Sequence, residues 1–208
     1  MPTIITHAAV PFAIGLGLGA RVVSPRLLVV GVLASVAPDL DAVGFQFGIA
    51  YSDIEGHRGL LHSFAFALLL AVLAATAAGP LRTSRRCAFV FVLASAASHG
   101  LLDMLTTGGL GVACFWPFSD TRHFFPWQVI KVSPLSLHRL MSSTGREVME
   151  SELRTVWLPA MALCFTLWMG RRLRGAGNPT TQLGGHDCHP TQGDVAVRPG
   201  ADGNSRPL

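Results

Sequence analysis

Five stretches of this chain are apolar over lengths approaching the thickness of a bilayer, and its charged residues gather outside them. A hydrocarbon core about 30 Å thick takes roughly 20 helical residues. The candidate spans run from Ile4 to about Ala20, from Leu27 to Ala37, from Leu60 to Gly79, from Cys87 to Leu105 and from about Val156 to Gly170. The first, second and last are short for a full span. The second, clean for only about 16 Å of helix, meets Pro38-Asp39-Leu40-Asp41. It either continues as a broken helix towards Phe47 or stops partway in protein-lined surroundings. Composition agrees: half of the 208 residues are apolar and 13% are charged, against about 25% charged in soluble chains. The expected fold is all-α, an integral membrane helical bundle of about five spans. One embedded domain covers 1–174, followed by a Gly/Pro-rich tail over 175–208. That tail has no aromatic residue, no Ile and no Met, and is expected to be disordered.

The basic residues set an orientation. Arg21 and Arg26 separate spans one and two, Arg82, Arg85 and Arg86 separate three and four, and Arg171, Arg172 and Arg174 follow span five. Five spans place all three clusters on one side, with no acidic residue among them. The positive-inside rule makes that side cytoplasmic, so the N-terminus faces out and the C-terminus in. The opposite side carries Arg58, Arg122, Lys131, Arg139, Arg146 and Arg154, which weakens the bias without reversing it. The net charge of +4 comes from 16 basic residues, 15 of them Arg. They read as topology signals; no helix-turn-helix or basic reading helix is visible, and no nucleic-acid partner is expected. The first residues have no basic stretch of the kind that opens a cleaved signal peptide. Cys87, Cys114, Cys164 and Cys188 form no CxxC pair, so no disulfide framework is expected.

Laid on these spans, the ionisable residues converge. His7 stands near the outer end of span one, Asp39 and Asp41 at the outer end of span two, His57 and His62 ahead of span three, and His99 and Asp103 near the outer end of span four. Spans running alternately in and out bring these four His and three Asp to one membrane face. An Asp inside a bilayer helix costs on the order of 2.5–3.5 kcal/mol, so a buried set needs a partner. His99 and Asp103, four apart, share a helix face. Imidazole nitrogen with carboxylate oxygen suits Zn²⁺, with Mn²⁺ or Fe²⁺ as alternatives. Arg58 is the candidate anion clamp, since guanidinium matches phosphate in a forked geometry; a headgroup contact is its other reading. Ser63, Thr106 and Thr107 are candidate supporting donors, and Gly108-Gly109 permits tight backbone nearby. His123 and His138, in the outer connection, could complete the site. Glu152 is placed to reach back over it, while Glu147 and Glu150 read as solvated acids. The aromatic, proline-broken segments Phe115–Phe118 and Phe124–Trp127 suit a headgroup-level position or packing on helix ends. His186-Asp187-Cys188-His189 in the tail is read as incidental.

The ordered set His7, Pro38-Asp39-Leu40-Asp41, His57-Arg58-Gly59-Leu60-Leu61-His62-Ser63, His99-Gly100-Leu101-Leu102-Asp103 and Trp116-Pro117-Phe118-Ser119 resembles the YdjM-like family. These are bacterial inner-membrane proteins described as metal-dependent hydrolases, a label that also mentions LexA binding. The resemblance covers about residues 1–170. That family is distantly similar to zinc-dependent phospholipase C and the P1-type nucleases, helical enzymes with zinc held by His and Asp. The resemblance implies His7, Asp39, His57, His62, His99 and Asp103 as ligands, Asp41 as ligand or supporting base, and phosphoester hydrolysis as the chemistry. Part of the soluble enzymes' His set is missing, which implies one or two ions.

The resulting expectation is a membrane-bound hydrolase of the bacterial inner membrane that uses metal-activated water, with Asp41 or Asp103 taking the proton and Arg58 stabilising developing charge. A lipid or lipid-linked phosphate, or a smaller phosphoester, is the expected substrate, the bilayer the one partner, and the oligomeric state stays open. The alternatives are an ion or metal transporter and a non-catalytic scaffold braced by metal. The inner halves of the spans, such as Phe66–Ala78 and Phe89–Ala97, are apolar apart from Thr76 and Ser95. That favours a one-sided pocket over a conduit.

Overall fold

The structure, a computed structural model, describes residues 1–133 and 141–176. Among these it is all-helical, with two isolated backbone bridges and no strand. The elements are α1 (Ile4–His7), α2 (Ala9–Leu18), α3 (Pro25–Val36), α4 (Phe64–Thr76), α5 (Arg85–Met104), α6 (Ser143–Glu152) and α7 (Leu158–Ala176). A 3₁₀ helix (Ala37–Phe47) extends α3, a short one (Leu60–His62) precedes α4, and a π turn (Leu153–Trp157) joins α6 to α7. The five apolar segments of the sequence are all helical. Pro25–Phe47, Arg85–Met104 and Ser143–Arg174 are long and apolar enough to cross a membrane, while Ile4–Leu18 and Phe64–Thr76 are shorter apolar helices. The second span therefore does continue to Phe47 as a broken helix. The last begins earlier than its hydropathy suggested, because polar α6 runs straight into α7. His138 and Arg139, and the tail from 177 on with its His186–His189 tract and Cys188, lie outside the described residues. Cys87, Cys114 and Cys164 are free.

Serine caps start three of the helices. Ser24, Ser63 and Ser84 each accept from the backbone N–H three residues on, at Leu27, Phe66 and Cys87, which satisfies a donor that an apolar helix would leave orphaned. Small residues then let the helices approach. On α4, Ala67, Ala71 and Ala74 are buried, followed by Ala78 just past its end, at spacings of four, three and four. This stripe faces α5, while Leu68, Leu69, Val72 and Leu73 point outward. Without water to drive association, such close packing of small side chains is what holds apolar helices together. Leu27 and Ala34 of α3 and Phe91, Val92 and Ala96 of α5 complete this core. On the other side α2 packs along α7, where a Cβ on Gly17 would strike Leu167.

The two ends of the bundle differ in chemistry. At one end, Arg26 Nη1 donates to the Pro80 carbonyl (2.9 Å) and the Arg171 guanidinium lies against Gly19. All eight arginines of the three clusters are exposed. The other end receives the N-terminal turn of the bundle, the C-terminal ends of α3 and α5, and the start of α4. The aromatic connection closes over it: Phe125 packs with Met104, Val112 and Cys114, while Phe118 and Trp127 are 94% and 72% exposed.

Candidate metal centre

Each segment delivers its polar side chains for a local reason. On α5, the four-residue spacing turns His99 and Asp103 to the same inward face, both fully buried. Beyond α3, the tighter 3₁₀ winding sends Asp39 and Asp41 inward and leaves Leu40 between them 67% exposed. His57 and Arg58 sit on a turn in which Arg58 takes a left-handed backbone (φ 65°). His62 closes the short 3₁₀ helix, and His7 ends α1. All seven predicted His and Asp ligands are buried together with Arg58.

The side chains fall into two overlapping groups. Asp39, His62, His99 and Asp103 offer one ligand atom each, all within 4.8 Å of one another, and Asp41, His57 and His62 do the same. His99 Nε2 lies 3.0 Å from His62 Nε2, 3.4 Å from Asp39 Oδ1 and 3.9 Å from Asp103 Oδ2. His62 Nε2 is 3.3 Å from Asp103 Oδ2 and 3.8 Å from Asp39 Oδ1. His99 Nδ1 sits 2.7 Å from the Ser35 carbonyl. A carbonyl only accepts, so Nδ1 carries a proton, and in the neutral imidazole Nε2 presents its lone pair to the cluster. A lone pair facing carboxylates in a buried space calls for a cation. Both oxygens of Asp39 lack any hydrogen-bond partner, and buried polar atoms are rarely left so. Nitrogen and carboxylate donors at these separations fit a divalent transition ion, and the backbone-held His99 has the support typical of a ligand.

The remaining residues divide by what already engages them. Asp41 is committed: Oδ1 accepts from His57 Nδ1 (2.6 Å), Oδ2 from the Arg58 backbone N–H (3.1 Å), and His62 Nδ1 stands 3.1 Å from Oδ2. Arg58 is also committed. Its Nε lies 3.2 Å from Asp103 Oδ2, Nη2 donates to Thr106 Oγ1 (2.9 Å) and reaches Asp103 Oδ1 (3.4 Å), and Nη1 donates to the Gly108 carbonyl (2.9 Å). His7 stacks on His99 with ring centroids 3.7 Å apart, its Nε2 3.8 Å from Asp103 Oδ1 and 3.9 Å from Asp39 Oδ2. It belongs to neither close group, and neither of its nitrogens has a hydrogen-bond partner.

Other candidates lie elsewhere. The His123 ring meets Phe115 edge-on (5.2 Å) and its backbone pairs with Val112. Glu152 is fully buried, but Thr3 and Thr6 hold its carboxylate rather than the cluster. Glu147 and Glu150 pair at the surface with Lys131 and Arg154. Ser63 caps α4, Thr107 accepts from the Val132 N–H, and Thr106 alone of the three supporting candidates touches the site. Two contributors carried no sequence signal. Ser35 acts through its carbonyl, and Arg122 ties down the loop before His57 by donating to the carbonyls of His57, Tyr51 and Asp53. Burial pushes the Tyr51 phenol up from its ordinary range and the Arg122 guanidinium down.

With this geometry in place, similarity to known proteins becomes informative. Residues 1–175 match the family described as YdjM inner membrane protein. The chain is 48% identical over 178 residues to the inner membrane protein YbcI of Escherichia coli (strain K12), an alignment covering 83% of this chain and 100% of that protein. No solved structure matches.

Proposed function

The chain belongs to the YdjM inner membrane protein family, and from that premise we propose that it is a membrane-embedded, metal-dependent hydrolase acting on phosphoesters, with a lipid or lipid-linked phosphate as substrate. The observation that carries this reading is the placement of His99 Nε2. Fixed by the Ser35 carbonyl, it faces His62 and the unpartnered Asp39 in a fully buried space. We assign Asp39, His62, His99 and Asp103 as the residues that hold one ion. A neutral imidazole has one lone pair, so His62 binds through Nε2 and turns Nδ1–H toward Asp41.

An ion held there would supply Lewis acidity, lowering the pKa of water and polarising a phosphoryl oxygen. Arg58 holds Asp103 in place and neutralises it, since its guanidinium is committed to Asp103, Thr106 and Gly108 rather than to a substrate. Asp41 keeps the proton of His57 on Nδ1, which leaves Nε2 to take a proton. The eight exposed arginines at the far end, read by the positive-inside rule, support a periplasmic position for the site. A cavity of about 620 Å³ between α4 and the Cys114–Phe118 turn begins at Phe64, two residues past His62, and is lined by Leu68, Leu69, Val72 and Phe115. This apolar cavity is lined by none of the cluster residues and meets them only through the chain between His62 and Phe64; its character supports a lipid-borne substrate.

Metal analysis of purified protein beside His99→Ala and Asp103→Ala tests the site; loss of the ion in both is expected. Hydrolysis of phospholipids and simple phosphodiesters by the loaded protein tests the chemistry. A wild-type protein that binds no divalent ion, or one that is loaded yet turns over neither substrate class, would overturn the reading.

A further inference from the structure

Glu152 is a buried carboxylate without a part in the cluster, and its surroundings point to one. It ends α6, whose other acids are solvated, yet it is fully buried. Oε1 accepts from the Thr3 backbone N–H (2.5 Å), and Oε2 accepts from the hydroxyls of Thr3 (2.6 Å) and Thr6 (2.6 Å). Thr6 Oγ1 in turn accepts from Trp157 Nε1 (3.0 Å). One hydroxyl therefore donates to Glu152 and accepts from Trp157, so its bonding capacity is used in both directions.

The π turn makes this possible. At 100° per residue an α-helix would set residues 152 and 157 about 140° apart. The wider π turn over Leu153–Trp157, closed by i→i+5 bonds, returns Trp157 to the side of Glu152, and both reach Thr6. The next residue is His7. Its helix, α1, runs on through Ala8 into α2, so the end left to be tied down is the N-terminal turn that carries Thr3 and Thr6. Neither ring nitrogen of His7 has a hydrogen bond to aim it, and among the described residues its one ring contact is the stack on His99. The orientation of His7 is set by its backbone.

We infer that Glu152 is a positioning residue: acting through Thr6, and clamped by Trp157, it holds the turn that keeps His7 stacked on His99 beside the cluster. The geometry stands independently; its consequence for metal binding rests on the reading given above.

The test uses the full chain in detergent as wild type, Glu152→Ala, Thr6→Val and Thr6→Ser. Carbethoxylation of individual histidines, followed by mass spectrometry, reads access to His7 with no metal required. His7 and His99 are both fully buried, so both are protected in the wild type. Glu152→Ala and Thr6→Val are expected to raise His7 reactivity at least tenfold while His99 stays protected, and Thr6→Ser, which keeps the hydroxyl, to behave as wild type. Cobalt titration should show a weakened and spectrally altered site in the first two variants. Unchanged His7 reactivity, or equal exposure of His7 and His99, would overturn the positioning role. An exposed His7 with an unaltered cobalt spectrum would overturn its link to the site. A wild-type chain that takes up no cobalt would defeat the metal reading, while the His7 protection pattern still decides the positioning.

Discussion

Replacing Arg58 by Met tests how the buried charges balance. The guanidinium is fully buried and spans both oxygens of Asp103, at 3.2 Å and 3.4 Å, with a further bond to the Gly108 carbonyl. Met keeps the length and apolar bulk of the stem but removes the cation. Asp103 is then left as a buried carboxylate with only imidazoles for company. Removing one member of a buried ion pair costs about 3–5 kcal/mol, because the other charge stays out of water. At about 2–4 °C per kcal/mol for a chain of this size, the unfolding midpoint of the metal-free protein should fall by on the order of 10 °C. Two further measurements separate this account from simple loss of packing. Adding Asp103→Asn to Arg58→Met removes the stranded charge, so the double variant should recover about 2 kcal/mol relative to additivity. On the proposed reading a saturating divalent ion would also neutralise Asp103, so the cost of Arg58→Met should shrink in its presence. Melting in detergent, with chelator and with metal, reads all three. A loss below about 1 kcal/mol, the size of an exposed pair, or an equal loss with and without the ion, would refute the reasoning.

Gly109→Ala should cost about 1–3 kcal/mol, because φ is 98° and a Cβ would sit 2.7 Å from Arg58 Nη1 and 2.8 Å from the Tyr51 hydroxyl; thermal melting checks this. Ser63→Ala should cost about 1 kcal/mol through the lost cap of α4 while metal content stays at the wild-type level. Ala71→Leu, at a fully buried position between α4 and α5, should lose about 1–3 kcal/mol to overpacking, whereas Leu68→Ala on the outward face should leave the melt nearly unchanged. Leu40→Gln, between Asp39 and Asp41 but 67% exposed, should keep the metal stoichiometry measured for wild type.

The sequence was most informative where one physical constraint dominated. Bilayer thickness and the cost of ionisable groups in lipid made the five apolar helices visible, and alternating their direction gathered His7, Asp39, Asp41, His57, His62, His99 and Asp103 at one end. The spacing of His99 and Asp103 and the Pro38 break gave local geometry directly. Where the outcome turned on tertiary partners, the sequence was silent. Nothing around Arg58 distinguishes a side chain turned inward on Asp103 from one reaching a headgroup, and its left-handed backbone is a rare choice for arginine. Glu152 lies among acids that look solvated, and its partners Thr3 and Thr6 are 149 and 146 residues away. The Ser35 carbonyl that fixes His99 has no side-chain signature at all. Helix α6 was hidden by its polarity, although Val148 and Glu152, four residues apart, form its buried edge.

The donors assigned to the ion come from three separate stretches of chain: Asp39 beyond α3, His62 before α4, and His99 and Asp103 on α5. No one of these stretches holds enough of them to retain an ion, so affinity exists only once the helices have docked. By the same linkage, whatever free energy an ion gains on entering is returned as cohesion among those helices. On the proposed reading, depriving the bilayer-inserted chain of the ion would loosen the assembly itself, and the supply of that ion would govern how long the protein survives.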